Sequence, residues 1–350
     1  MKTIRIGEHI IGEGHPAFII AEAGANHDRN FDQAIRLVDI AAQAKAQAVK
    51  FQTYSAESMY STKTPEIESI KNKLRPGETI VDLIRRIEIP RDWHRKLDDA
   101  CNERGVLFMS TPFDLAAVKQ LEETGVLAYK IASFEITHLP LLKAVGQTGK
   151  PVILSTGMAS LGDIELALET LAAAGNDQVA LLHCSSLYPA DYADLNLRAM
   201  DTMRQAFGCP VGFSDHTMGI TSDIAAVARG ADIIEKHYTI DRSLPGPDHG
   251  FALEPDELVA MVQAIRDTEA ALGSPAKGRT VAEEEHYHKA RRSLVAARDI
   301  PKGKTIEEED LAVKRPGFGI HPRNIELLVG RKPIVDIAAD DILLWEMFLS

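Results

Sequence analysis

Between residues 16 and about 272 one theme recurs eight times: a short apolar run, a polar or Gly-bearing loop, then an amphipathic stretch. A run of four to seven mostly apolar residues bounded by turn signals reads as a strand buried on both faces, because a half-exposed strand would alternate apolar with polar. The eight are Ala17–Glu22, Ala48–Thr53, Val106–Ser110, Ala128–Ala132, Val152–Thr156, Val179–Cys184, Val211–Ser214 and Ala231–His237. Helical stretches separate them, among them Phe31–Ala44, Asp92–Arg104, Leu115–Glu123, Asp163–Ala173 and Asp256–Leu272. Parallel strands need such crossovers. Eight strand-then-helix units of this size predict an α/β fold, a TIM (β/α)8 barrel rather than an open sheet. The second unit is longer, and its charged insertion from Tyr54 to Ile89 reads as a flap over the barrel mouth.

The theme then stops. Gly273-Ser274-Pro275 closes the last barrel helix, and Thr280–Arg292 reads as a polar linker. From Ser293 the pattern turns to short β-like runs with turns: Leu294–Ala297, the stretch from Ile300, Leu311–Lys314 and Leu343–Phe348. The expected division is therefore a barrel at 1–280, a linker at 281–292 and a small mostly-β module at 293–350. A module of this size has little core of its own, so it is expected to pack on a barrel, its own or a partner's.

Composition narrows the partners. The 350 residues carry 51 acidic against 39 basic side chains, a net of −12, which argues against nucleic acid. Hydrophobic residues make up 45% and aromatics only 6%, as suits a core of Val, Ile, Leu and Ala. Cys101, Cys184 and Cys209 have no metal-type spacing and cannot all pair, which points to a reduced, cytoplasmic setting. The N-terminus lacks the apolar core of a signal peptide, and no uninterrupted apolar run approaches the 18 or so residues of a membrane span.

Barrel enzymes work at the C-terminal ends of their strands, and the polar residues of this chain gather there. His216 and His237 close the seventh and eighth strands, neighbours in a closed barrel, so two imidazoles at the mouth suggest a divalent-metal site. Lys50 and Gln52 lie two apart on strand two and share a face; Lys130 lies on strand four. With Thr111, Ser133, Ser155 and Ser214 at other strand ends, the lysines suit a phosphate or carboxylate. Glu22 and Glu135 stand close enough to act as general acid or base, or to neutralise Lys50 and Lys130. Asp248, in the stiff loop after strand eight, is placed to bind a substrate hydroxyl or orient a metal-bound water, or simply to form a turn.

These residues assembled, the chain resembles the sialic acid synthase family, which includes N-acetylneuraminate, legionaminate and pseudaminate synthases. The similarity runs in order along nearly the whole length: Ile-Ala-Glu-Ala-Gly-Ala-Asn-His at 20–27, Lys-Phe-Gln-Thr-Tyr at 50–54, Ser-Thr-Pro-Phe-Asp at 110–114 and Tyr-Lys-Ile-Ala-Ser at 129–133. It continues through Leu-Ser-Thr-Gly-Met at 154–158, Phe-Ser-Asp-His-Thr at 213–217, Glu-Lys-His at 235–237 and Gly-Pro-Asp-His at 246–249. Lys-Arg-Pro-Gly-Phe-Gly-Ile at 314–320 resembles the antifreeze-like (SAF, β-clip) domain that these enzymes carry. The resemblance implies a phosphoenolpyruvate-dependent synthase acting on an N-acylated amino sugar, such as N-acetylmannosamine. It further implies Mn²⁺, Mg²⁺ or Co²⁺ on His216 and His237, and phosphoenolpyruvate held by Lys50, Gln52, Thr111, Lys130, Ser133, Ser155 and Ser214. A domain-swapped homodimer would bring Arg315 to the sugar's acyl-amino group. Motifs divide between subfamilies, so a pseudaminate or legionaminate synthase using a 2,4-diacetamido-trideoxyhexose, or a spore-coat or surface-polysaccharide enzyme, is the alternative. Ser185-Ser186 stands where many neuraminate synthases have an Asn, and that contact is not carried over.

Two other classes compete. A Schiff-base aldolase would use Lys130 covalently, and borohydride trapping tells the two apart. A non-catalytic polysaccharide-assembly protein would have no need of the polar set at the strand ends.

Overall fold

The computed structural model describes residues 2–65 and 74–348. The chain divides into two compact units, Met1–Gly273 and Ser274–Ser350. In the first, eight strands form one all-parallel sheet: β3 (Phe18–Gly24), β4 (Ala48–Thr53), β5 (Leu107–Pro112), β6 (Tyr129–Ile131), β7 (Val152–Ser155), β8 (Val179–Cys184), β9 (Val211–Asp215) and β10 (Ile233–His237). Their order is β5-β4-β3-β10-β9-β8-β7-β6, and β5 lies beside β6, so the sheet curls into a nearly closed barrel. The fold expected from the recurring units is the fold observed.

Alternation along each strand sorts the side chains. Outward residues such as Val49, Phe51, Leu154, Phe213 and Ile234 pack on the helix layer in one large apolar core. Inward residues Phe18, Ile20, Ala48, Met109, Ile153, Leu182 and Ile233 fill the lower barrel. Gly212 faces the same crowded interior. A Cβ there would lie 2.3 Å from the Ile233 carbonyl oxygen and 2.8 Å from Leu182, so only glycine fits.

An antiparallel hairpin not read from the sequence precedes the barrel: β1 (Ile4–Ile6) and β2 (His9–Ile11) turn through Gly7 at φ 58°. Its Ile4, Ile6 and Ile11 join the interior core and plug the N-terminal end of the barrel. The insertion after β4 contributes helices Ala56–Met59 and Ile80–Ile87, whose Ala56, Leu83, Ile84 and Ile87 pack with Ala25, Tyr54 and Phe113 beside the strand ends. The middle of the expected flap, residues 66–73, lies outside the described residues.

The polar segment that precedes the β module is helical. Residues Val281–Glu283 and Glu284–Ala290 belong to the second unit, which begins at Ser274. Thr280 and Glu283 form a capping box, Lys289 pairs with Glu285 at 2.6 Å, and the Arg279 and Arg291 guanidiniums sit 4.0 and 4.3 Å from the Tyr287 ring. A helix that is polar all round holds together through such pairs rather than a buried face. Beyond it, β11 (Ser293–Ala296) and β12 (Leu311–Lys314) pair antiparallel over a core of Leu294, Ile300, Ile306, Ile320, Leu328, Ile337 and Leu343. The run Leu343–Phe348 is not a strand but ends in a 3-10 turn, Trp345–Met347. Among the described residues no helix is long and apolar enough to cross a membrane.

Candidate active site

Above the apolar floor, the inward positions of the barrel turn polar. Each is one or two strand alternations beyond an apolar one: Glu22 after Ile20, Lys50 after Ala48, Ser155 after Ile153, Cys184 after Leu182, Ser214 after Gly212 and Glu235 after Ile233. A cavity opens at this level. Glu22, Lys50, Gln52, Thr111, Lys130, Ser133, Ser155, Ser214, His216 and His237 all line it. These ten side chains come from seven of the eight strands and the loops that follow them. A second cavity, between Gly14, Arg204, Asp232 and Leu272, lies at the opposite end of the barrel, away from all of them.

Two buried ammonium groups share one buried carboxylate at the centre. Glu235 stands 3.5 Å from Lys130 Nζ and 3.8 Å from Lys50 Nζ, and accepts from Ser214 Oγ at 3.0 Å. Lys50 also pairs with Glu22 at 2.8 Å and donates to Thr111 Oγ1 at 3.2 Å. Lys130 donates to Ser155 Oγ at 2.6 Å and to the Ile131 carbonyl at 3.2 Å. Gln52 donates to Glu22 at 2.7 Å. The backbone makes room for this layer: β3 carries a bulge between Glu22 and Gly24, and Gly24 turns at φ 51° with Glu22, Gln52 and His237 within 3.3–3.5 Å of where a Cβ would stand.

Burial sets the protonation of these groups. Burial raises the Glu22 pKa to about 7, although Lys50 and Gln52 pull it down. Burial also opposes the charge of Glu235, but Lys130 and Lys50 outweigh it and hold that carboxyl below its usual range. Burial lowers the Lys130 pKa; for Lys50 the same penalty is overcome by Glu22 and Glu235, which raise it. The site therefore holds one carboxylate fixed in its charged form and one poised near neutrality.

His216 and His237 stand side by side on the rim of this cavity, ring centroids 5.4 Å apart, walled by Tyr188 at 4.2 Å from one ring and Phe251 at 5.1 Å from the other. His216 Nδ1 is 2.7 Å from the Ser185 carbonyl, which only accepts, so the neutral ring carries its proton on Nδ1 and leaves the Nε2 lone pair for a cation. Among the described residues no group of three or more His, Cys, Asp and Glu side chains is placed to hold a metal ion. The two imidazoles fit a hard divalent ion that takes its remaining ligands from substrate and water, not a closed structural zinc.

Glu135 and Asp248 are not among the residues that line the cavity. Glu135, in the 3-10 turn after β6, faces His138 at 3.1 Å and is not part of the cavity lining. Lys130 is neutralised by Glu235 instead, a residue the sequence reading did not single out. Asp248 precedes the 3-10 turn His249–Phe251, and its charge reaches Tyr54 and Tyr188. Arg315 belongs to the second unit, where it is exposed. Cys184 and Tyr188 also line the cavity unforeseen.

The chain is similar to known proteins along its whole length. The NeuB family model matches residues 37–277, and the SAF domain model matches residues 291–349. The spore coat polysaccharide biosynthesis protein SpsE of Bacillus subtilis is 42% identical, covering 100% of this chain and 98% of its own; its crystal structure superposes with a TM-score of 0.68. The N,N'-diacetyllegionaminic acid synthase of Legionella pneumophila is 41% identical over 96% of this chain and 95% of its own. The N-acetylneuraminic acid synthetase of Leptospira borgpetersenii, solved in complex with citrate, is 38% identical with a TM-score of 0.73, over 81% of this chain and 95% of that one.

Proposed function

The chain belongs to the NeuB family of phosphoenolpyruvate-condensing synthases, and from that premise we propose that it joins phosphoenolpyruvate to the open-chain aldehyde of an N-acylated hexosamine, such as N-acetylmannosamine. The products are a nine-carbon 2-keto acid and inorganic phosphate. The observation that carries this reading is the pair of buried ammonium groups, Lys50 and Lys130, facing one cavity beside two imidazoles. Buried cations of this kind invite an anion, and hydroxyls from Thr111, Ser133, Ser155 and Ser214 with the Gln52 amide supply directed donors for a phosphate and a carboxylate.

His216 and His237 would hold a divalent ion, which when bound polarises the sugar aldehyde and lowers the pKa of a neighbouring water. Lys50 and Lys130 orient the enol so that its third carbon faces that aldehyde. As the new carbon–carbon bond forms, positive charge develops at the second carbon, and the Glu22 and Glu235 carboxylates beneath it favour that charge. The former aldehyde oxygen takes up a proton to become a hydroxyl. Water adds to the second carbon and gives one proton to Glu22. The bond from that carbon to the phosphate oxygen then breaks as the hydroxyl left by water loses its other proton, leaving the 2-keto group and inorganic phosphate. Asp248 meets a sugar hydroxyl. Arg315, offered by a partner chain in a homodimer, meets the acyl-amino group. The three buried, free cysteines support a reducing cytoplasmic setting.

A second reading has support in the similarity to the Legionella enzyme: the sugar is a 2,4-diacetamido-trideoxyhexose, and the product a legionaminate- or pseudaminate-type acid serving a surface polysaccharide. Mass spectrometry of products from phosphoenolpyruvate and a panel of N-acetylated and diacetamido hexoses, with phosphate release followed in parallel, separates the two. A borohydride-trapped adduct at Lys130 without phosphate release would overturn both.

A further inference from the structure

The rows of side chains facing outward from β9 and β10 are apolar except at one level. Phe213, Ile234 and Tyr238 join the large core against the helices, as outward barrel positions do. Between them, Asp215 and Lys236 are direct cross-strand partners, both buried, with the ammonium 2.5 Å from the carboxylate. Asp223, from the helix Thr221–Ala228, adds a second buried carboxylate 3.7 Å from the same ammonium. Such a pair is costly: desolvating the two charges consumes most of their attraction, and apolar residues of similar volume usually stabilise a fold as well or better. Stability alone therefore gives no reason for it.

Its position gives one. Asp215 immediately precedes His216, and Lys236 immediately precedes His237. Lys236 Nζ donates both to Asp215 and, at 2.7 Å, to the Thr217 carbonyl, so one ammonium grips the chain on each side of His216. Asp215 in turn accepts from the Thr217 amide at 2.9 Å, the Thr217 hydroxyl at 3.0 Å and the Ser222 hydroxyl at 2.6 Å. The backbone that presents His216 is thus tied, through a few short bonds, to the backbone that presents His237.

We propose that Asp215 and Lys236 are positioning residues that fix the separation of the two imidazoles and so set the affinity of the chain for a divalent cation. The inference rests on the metal reading of the histidine pair and deepens it. Neither residue lines the substrate cavity, so its effect on phosphoenolpyruvate is indirect at most.

The test is Mn²⁺ binding to the full-length, substrate-free protein, followed by electron paramagnetic resonance, alongside phosphoenolpyruvate binding to metal-free protein by calorimetry. The triple variant Asp215→Leu, Asp223→Leu and Lys236→Met removes the whole cluster without leaving an orphan charge. We expect it to melt no lower than wild type yet bind Mn²⁺ about 10- to 100-fold more weakly, the usual cost of losing a residue that orients a metal ligand. Its phosphoenolpyruvate affinity should not change. Should the triple variant not fold, Ser222→Ala, which removes one hydroxyl from Asp215, must still weaken Mn²⁺ several-fold. Unchanged Mn²⁺ affinity in these variants, or an equal loss of phosphoenolpyruvate affinity, overturns the inference alone. Absence of Mn²⁺ binding in wild type, or its persistence in His237→Ala, overturns the metal reading and this inference together.

Discussion

Glu22 is charged or neutral within the ordinary working range of an enzyme because burial opposes its charge more strongly than Lys50 and Gln52 support it. As a base it is competent only above its pKa of about 7, so the rate should fall as pH drops through that value. Glu22→Gln should slow turnover and abolish that acid limb; an unshifted limb in the variant would assign it to another group. Glu235 is the opposite case, a carboxylate kept charged by two lysines. Glu235→Ala leaves the buried Lys130 ammonium without an ion-pair partner and Lys50 with Glu22 alone, and should cost about 3–5 kcal/mol in urea unfolding, with added inorganic phosphate recovering part of the loss. The sequence held the signal for Glu235. Strand side chains alternate, so a mouth-facing His237 already puts Glu235 on the same face. Glu135 carried no such constraint: it follows a strand, in a turn whose direction no periodicity fixes.

The barrel strands were legible as elements because each is buried on both faces and reads as an unbroken apolar run between turn signals. Tyr129–Ile131 is the shortest, yet the Lys130 it carries still points inward with the others. The hairpin Ile4–Ile11 was less visible, since its strands are three residues each and its Arg5 and His9 dilute the pattern. The helix Glu284–Ala290 was hidden for a related reason: it has no apolar stripe and depends on caps and side-chain pairs. Close packing at the element level yields its own prediction. Gly212→Ala would drive a methyl into the Ile233 carbonyl and Leu182, forcing β9 and β10 apart at a cost of about 1–3 kcal/mol. Urea denaturation measures it, and a neutral substitution would mean the strands can part without loss.

At the scale of the molecule the chain joins a synthase barrel to a SAF domain. The proposed homodimer makes a demand on the whole: removing Ser293–Ser350 should yield a barrel that is monomeric in sedimentation and deficient in sugar use, while still binding phosphoenolpyruvate. A fully active monomeric barrel would contradict the proposed part of Arg315. Which amino sugar is used was not legible, because the chain mixes motifs from several subfamilies and the proposed sugar contacts, Asp248 and Arg315, lie outside the strands, where no register fixes them.

The central claim is that Lys50 and Lys130 hold phosphoenolpyruvate at the strand ends, and calorimetric titration of metal-free wild type against Lys130→Met tests it most directly. A charge-assisted hydrogen bond contributes roughly 1.5–3 kcal/mol, so the variant should bind about 10- to 100-fold more weakly. Equal affinity in the two proteins would place the enol phosphate somewhere else and remove the basis of the mechanism.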